Sequence, residues 1–550
     1  LPLIRCMKYR LSNAIENLLL SLKAKGKVRS FDAITILVLV LSGISLALST
    51  SANGQDDSLQ LPHIPLPSIQ VNRILNDIRE LSHTKYQGRQ AGTDGGRQSA
   101  DFIAKRFHTL GLKPIRQSPQ LTTHDDWFHE HPLTATQVGS PALISLSFVG
   151  VDQTWKTRHL TPGPEVLPAL DSPSASLMAP VIFVGYGIVD PARGMNDYQG
   201  IDVQNRTVLF LRGKPPSYAR WVTHEEKTAT AKTQGALGYI TVTGPLLDRY
   251  EARKGLGQTP LGIHSSTSPD HYTIPGVWIE GKVLTKLLSE TNESLETLQL
   301  SANNFRAFRS HPLPLLAQFD WTSLSYSGSL INVLGFLPGR DPHLGDDLIL
   351  IAAHRDHFGL QAGLLFSGAD DNASGTAVML EVARILSQSD NTPRRSILFV
   401  SFDGEERGLL GSTLYSDNPV HSLSKTYAMI NLDHLGVGNG KITVGVTRME
   451  KALAQLAAER TGLRDHVQIY GYFPGGDHVP FYEKGVPTIT VVSDGIHPHY
   501  HQPSDTVGTI QPTVLQTTAQ YVLTLITLLA NLPANSALPL ESPCYSCRNH

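Results

Sequence analysis

The chain has 550 residues, of which 41% are hydrophobic and 17% charged, and 46 Lys and Arg against 48 Asp and Glu give a formal net charge of −2. This balance excludes a nucleic-acid binder with a basic excess and a disordered polyelectrolyte. Three cysteines exclude a disulfide scaffold, and a mean hydropathy of −0.11 excludes a multi-span membrane protein.

Residues 33 to 55 carry no charge, and their core reads ITILVLVLSGISLALS. Arg5, Lys8, Arg10, Lys23, Lys25, Lys27 and Arg29 precede it, against Glu16 and Asp32. A positive flank before an apolar run orients that flank to the cytoplasm. The small residues Ser49 to Ala52 resemble a signal-peptidase site. Residues 1–55 are therefore expected to be a signal peptide or signal anchor. The remainder is expected to be secreted or periplasmic, or held outside the cytoplasm by a membrane anchor over residues 33–52. Cys6 precedes the apolar run, and Cys544 and Cys547 sit in a loose tail over residues 536–550.

Residues 56 to 68 are Pro-rich and polar, a linker by composition. The whole stretch 56–159 is read as this linker and the N-terminal part of the main domain. Two helices are expected between 70 and 112, the second with a stripe of Phe102, Ile103, Phe107, Leu110 and Leu112. From 160 to 310 short β-rich runs alternate with Gly and Pro turns around one helix near Glu225 to Gln234, which reads as an inserted, β-rich α+β module.

Over residues 316–535 the pattern is α/β. Apolar runs at Ile331–Leu337, Leu348–Ala353, Ile397–Phe402, Tyr427–Leu432 and Val486–Val492 fit strands buried on both faces. A helix is expected from Ser374, as N-cap, to Gln388. The fold class is thus α/β, with a mixed, mostly parallel central sheet flanked by helices.

Polar residues come directly after these strands. His354 and Asp356 follow LILIAA, Glu405 and Glu406 follow ILFVSFDG, Asp433 follows YAMINL, and His497, His499 and His501 follow TITVVSDGI. The loop SGADDNASG holds Asp370 and Asp371. Open α/β sheets bind ligands beyond the carboxyl ends of their strands, so these segments converge. Imidazole and carboxylate without thiolate suit zinc. Two zinc ions are expected: His354 and Asp433 on one, Glu406 and His501 on the other, and Asp371 bridging. Zinc lowers the pKa of a coordinated water to about 7. Glu405, next to a ligand, is left as general base. Asp356 is placed to fix the imidazole of His354. Singly, each motif reads as a surface pair, a turn or a helix cap. Asp370, Asp477, His478, His497, His499 and Asp505 are read as structural or supporting groups, with Asp505 capping the segment after it.

The set AHRDH, GADDNASG, FDGEERGLLGS, INLDHLG, GGDHVPF and YHQPSDT resembles, in order and spacing, the co-catalytic di-zinc aminopeptidase family. That family includes bacterial leucyl-type aminopeptidases, glutamate carboxypeptidases, glutaminyl cyclases and the metal-free transferrin receptors. The resemblance covers about residues 70–155 and 316–535. It implies a zinc-exopeptidase fold, the ligand set and general base above, and a hydrogen bond from Tyr500 to the oxyanion. It also makes the insert similar to a protease-associated domain, through VIFVGYGI, DYQGIDVQNRTVLFLRG and GALGYITVTG. Gly476 departs from members that carry Arg there.

The expected function is an exported metallo-aminopeptidase, with peptide or protein N-termini as substrate and no nucleic acid partner. The alternatives are a carboxypeptidase, which needs an Arg cluster for the substrate carboxylate, a one-zinc glutaminyl cyclase, and an inactive receptor-like binding protein. Arg355, Arg384, Arg407 and Lys484 are the basic residues near the motifs. No G-x-S-x-G motif supports a serine hydrolase.

Overall fold

A computed structural model describes residues 68–115, 124–220, 222–247, 274–388 and 392–533. The apolar run at 33–55, its basic flank and all three cysteines lie outside the described residues.

The strands of the first sheet are β1 (Phe128–Val138), β2 (Ser323–Leu337), β3 (Leu348–His354), β4 (Ser396–Phe402), β5 (Thr426–Leu432), β6 (Ile442–Thr447), β7 (Val467–Tyr470) and β8 (Thr488–Ser493). Their spatial order is β1-β2-β4-β3-β5-β8-β6-β7. The central four, β4-β3-β5-β8, are mutually parallel, while β1, β2 and β6 pair antiparallel to their inner neighbours. Every residue of β3 and β4 is buried, which explains their unbroken apolar runs. Successive side chains alternate between faces. Leu350, Leu398, Val400 and Phe402 pack with Tyr415 and Phe481 of helices Leu410–Asp417 and Val479–Glu483. On the opposite face, Phe399 meets Phe107 of helix Asp94–Thr109 at 6.4 Å between ring centroids.

The two early helices are present as expected, at Val71–Leu81 and Asp94–Thr109. The first buries Ile74, Asp77, Ile78 and Leu81, a stripe at helical spacing. The second is capped by the hydroxyl of Thr93, which accepts the Gly96 N–H at 3.3 Å. Arg106 of the second pairs with the buried Asp77 of the first at 2.7 Å. The closing helix, Pro512–Asn531, is the one helix among the described residues long and apolar enough to cross a bilayer. It is 72% buried inside the protein, the environment of a core helix. The guanidinium of Arg395 donates to the carbonyls of Leu529 and Leu532 at its carboxyl end, at 3.2 and 2.7 Å.

The second sheet also has eight strands and includes Leu143–Val149, Trp155–Leu160 and His311–Trp321. It is entered and left through one antiparallel ribbon. β1 pairs β2 over its whole length, from Phe128 opposite Val333 to Val138 opposite Ser323, and Gly139 N–H bonds Thr322 O at 2.8 Å. The strands of the second sheet thus lie between residues 139 and 322, within and on both sides of the 160–310 read as an insert. The sheet's outer strands carry little sequence signal because they alternate with exposed residues, as in Trp155–Leu160, where three of six are exposed.

Candidate metal centre

The four parallel strands end on one edge of the sheet, and each delivers a polar side chain there. His354 is the last residue of β3 and lies opposite Phe402 at the end of β4. Glu405 and Glu406 follow β4 in a single turn, Asp433 follows β5, and the loop after β8 carries His497 to His501. Asp371 comes from the loop before helix Gly375–Ser387.

Asp371 is buried at the meeting point. Its Oδ1 is 3.4 Å from His354 Nε2, which is itself 3.4 Å from Asp433 Oδ1. Its Oδ2 is 3.1 Å from His501 Nε2, which is 3.4 Å from Glu406 Oε2. One carboxylate thus presents an oxygen to each of two donor groups. The five residues expected as ligands lie together: His354, Asp371 and Asp433 group as expected, whereas the donor group at Glu406 is Asp371, Glu406 and His357, with His501 beside it. The donors fit a pair of zinc ions: Asp371 Oδ2 and Asp433 Oδ1 are buried and have no hydrogen-bond donor, and such oxygens are costly unless a cation faces them.

The electrostatics are those of crowded anions. Burial, then the carboxylates of Asp371 and Glu405, pushes the Glu406 pKa well above its ordinary value. Burial also raises Glu405, reinforced by Asp477, Asp433 and Asp356 and opposed by His354. Burial alone would lower His354, but Glu405, Asp356 and Asp433 lift it well above its usual range. Each of these carboxylates gains when positive charge sits among them.

Asp356 holds the site by a second route besides the expected one. Its carboxylate is 3.6 Å from His354 Nδ1, and its backbone carbonyl, at 3.3 Å, is the nearer acceptor. The carboxylate also accepts the N–H groups of Glu405 and Glu406, at 3.1 and 3.3 Å. It therefore orients the turn that bears Glu405 and Glu406, because free N–H groups at a helical start seek an acceptor.

The Asp371 loop is fixed from beneath. Gly368 adopts a φ of +54°, and a Cβ there would meet Asp371 O at 2.2 Å, so only glycine serves. The Asp505 carboxylate accepts the N–H of Asp370 at 2.9 Å and of Asp371 at 3.0 Å. Asp505 thus caps this loop rather than the segment after it. Ser374 does not cap the following helix. Its hydroxyl donates to Asp370 O at 2.7 Å, and Asn372 Oδ1 takes the Gly375 N–H at 2.9 Å. The chain turns so tightly here that the cap falls two residues earlier.

Arg89 had no signal in the sequence beyond a polar loop. It is fully buried, with its guanidinium donating to the carbonyls of Leu81, Arg355, Ser367 and Gly368 at 2.6–2.8 Å. His357, within AHRDH, is a further residue that spacing did not single out. Its Nδ1 is 2.7 Å from Glu406 Oε1, and its donor atoms group with those of Asp371 and Glu406. Asp477 is fully buried, and burial raises its pKa to about 7. Tyr500 stands at the rim with its ring 3.6 Å from that of His501 and 5.3 Å from that of His434. His499 bonds Ser504 Oγ at 2.9 Å and joins neither donor set.

The basic residues near the motifs are committed elsewhere. Arg355 pairs with Asp403 at 3.1 Å, Arg384 with Glu381 at 2.7 Å, Arg407 with Asp171 at 2.6 Å, and Lys484 with Asp417. The Arg407–Asp171 pair is buried and ties the turn after Glu406 to the insert.

Residues 332–526 match the family model described as peptidase family M28. This region is similar to peptidase family M28. Over 184 residues the chain is 32% identical to aminopeptidase YwaD of Bacillus subtilis (31% of this chain, 38% of that protein). Over 216 residues it is 29% identical to a probable glutamate carboxypeptidase of Zea mays (36% of this chain, 29% of that protein). The alignments thus span under two fifths of these two relatives. The fold matches a solved zinc aminopeptidase from Bacillus subtilis with a TM-score of 0.58 and 22% identity, covering 87% of this chain and 100% of that one. The α/β fold with a mixed central sheet is that of the M28 zinc aminopeptidases.

Proposed function

We propose that the chain is an exported zinc-dependent exopeptidase, an aminopeptidase that removes residues from the N-termini of peptides. The observation that carries this reading is the placement of Asp371, with one oxygen toward His354 and the other toward His501. A di-metal hydrolase needs a carboxylate in that position, and a binding protein has no use for it. His354, Asp371 and Asp433 would hold one zinc, and Asp371, Glu406 and His501 the other. When bound, zinc supplies Lewis acidity and makes water a nucleophile near neutral pH.

The chain's own groups do the rest. Glu405 takes a proton from the attacking water on its carboxylate and returns it to the nitrogen of the leaving amine. Asp356 keeps Glu405 and Glu406 in register through their N–H groups. Tyr500 donates its hydroxyl hydrogen to the substrate carbonyl oxygen as charge gathers there. The surplus of carboxylates, with Asp477 behind, favours a substrate that brings an ammonium group. A carboxypeptidase lacks support on the same ground, because Arg355, Arg384, Arg407 and Lys484 are each paired with a carboxylate. The insert, read as a protease-associated domain, touches the Glu405–Arg407 turn through Asp171 and so borders the cleft. The apolar run at 33–52 supports action outside the cytoplasm.

The test is hydrolysis of an unblocked peptide by the purified chain before and after a chelator. Activity that disappears with the metal and returns with added zinc supports the reading. Activity indifferent to the chelator contradicts it.

A further inference from the structure

A third donor cluster lies beside the two that meet at Asp371. Asp370, His434 and His497 each place one ligand atom within 4.8 Å of the others. None of the three belongs to the ligand set above. Asp370 Oδ2 is 2.6 Å from His497 Nδ1 and 3.5 Å from His434 Nδ1. A zinc ion about 2.0–2.1 Å from each donor in a tetrahedral site spaces its donors roughly 3.3 Å apart. Both distances lie within about an ångström of that spacing.

The hydrogen bonds around the cluster leave one of its donor atoms, His434 Nδ1, bare. His497 Nε2 faces the carbonyl oxygen of Ser493 at 3.3 Å. A carbonyl only accepts, so Nε2 carries the ring hydrogen, and in the neutral ring Nδ1 presents its lone pair. That lone pair points at a carboxylate oxygen. At 2.6 Å the cation shared by these two atoms is a proton, which a bound metal ion displaces. His434 Nδ1 is buried without a hydrogen-bond partner and faces the same oxygen. The other oxygen of Asp370 is occupied by the Gly436 N–H at 2.8 Å, which leaves Oδ2 as a single directed ligand. His434 holds a φ of +49°, a conformation uncommon outside glycine and one that persists where surroundings impose it. The cluster lines an open cleft that Tyr500 and His499 also border, so an ion has a way in.

We propose that Asp370, His434 and His497 form a third cation site, for zinc or a divalent ion of similar softness. Two imidazoles and one carboxylate select such ions over calcium or magnesium. The bound ion clamps the loop carrying His497, Tyr500 and His501 to the loop carrying Asp370 and Asp371. The proposal goes beyond the di-metal reading and does not depend on it, since the two share no ligand.

The test is calorimetric titration of the chelator-stripped full chain with zinc, beside the variants His497→Ala, His434→Gln and His354→Ala. The expected result is three equivalents in the parent chain and two in His497→Ala and in His434→Gln. Two equivalents in the parent, or a third that survives both variants, would overturn the proposal and leave a proton as the shared cation. His354→Ala probes the pair alone: its failure to lose an equivalent would sink the paired assignment and not this one. Zinc-soaked crystals of the parent chain guard against misfolded variants. An anomalous peak bonded to Asp370 Oδ2, His434 Nδ1 and His497 Nδ1 is expected, and a bare cluster would also overturn the proposal.

Discussion

The carboxylate of Asp505 accepts the backbone N–H of Asp371 at 3.0 Å, across 134 residues of sequence. It also takes the N–H of Asp370. The residue that offers an oxygen to each donor set is thus held from behind by a second carboxylate. Supports of this kind tune metal affinity by about 10–100-fold when removed. Asp505→Ala should weaken zinc binding by that factor while the fold survives. Competition with a chromophoric chelator would measure it, and an unchanged affinity would mean the loop needs no such support.

Glu405 separates binding from chemistry. It lies outside both donor sets, on the turn that Asp356 orients. Glu405→Gln should keep the zinc content of the parent chain and lose about 10²–10⁴ in kcat, the scale of general base catalysis. Metal analysis and steady-state kinetics on the same preparation would decide. A variant with full activity would remove Glu405 from the role.

Arg89 is a matter of stability before it is one of function. Arg89→Met leaves the carbonyls of Leu81, Arg355 and Ser367 without their donor, while Gly368 O keeps the Ala373 N–H. Each unmet buried group costs about 1–3 kcal/mol, so a loss of at least about 3 kcal/mol is expected. Chemical denaturation measures it. Arg89→Lys keeps the charge without the planar fork and should fall between the two.

One pH effect arises away from the metal centre. Burial, with help from Lys227 and Arg212, pulls His224 in the insert down to a pKa of about 3. The unfolded chain protonates this residue near its ordinary value of about 6.5. Its contribution to stability is therefore complete above about pH 6.5 and is lost as the pH falls toward 3. His224→Gln should flatten the fall in Tm between about pH 7 and pH 4 relative to the parent. Parallel Tm curves for the two proteins would contradict this.

Much of this was legible in the sequence, for identifiable reasons. β3, β4 and β5 are buried on both faces, so each appears as an apolar run that stops where His354, Asp403 and Asp433 begin. His354 and Asp433, two of the residues expected as ligands, sit at those stops, and strand direction brings them to one edge. The groups that act at a distance left no such mark. Arg89 works on carbonyls, which any sequence supplies, and Asp505 works on N–H groups far from it in the chain. The ribbon of β1 and β2 was hidden because its outer half is exposed and polar, as HEHPLTA shows. Asp356 was singled out for its place beside His354, 3.6 Å from its Nδ1, but spacing does not show that the same carboxylate accepts the N–H groups of the Glu405 turn.

The central claim is that the chain removes residues from the free amino end of a peptide. The most direct measurement is mass spectrometry of one peptide in three forms, unblocked, N-acetylated and C-amidated, after incubation with the zinc-loaded chain. Stepwise loss from the amino end is expected for the unblocked and C-amidated forms, with no change in the N-acetylated form. Trimming of the N-acetylated peptide from its carboxyl end, with the C-amidated form left intact, would contradict it.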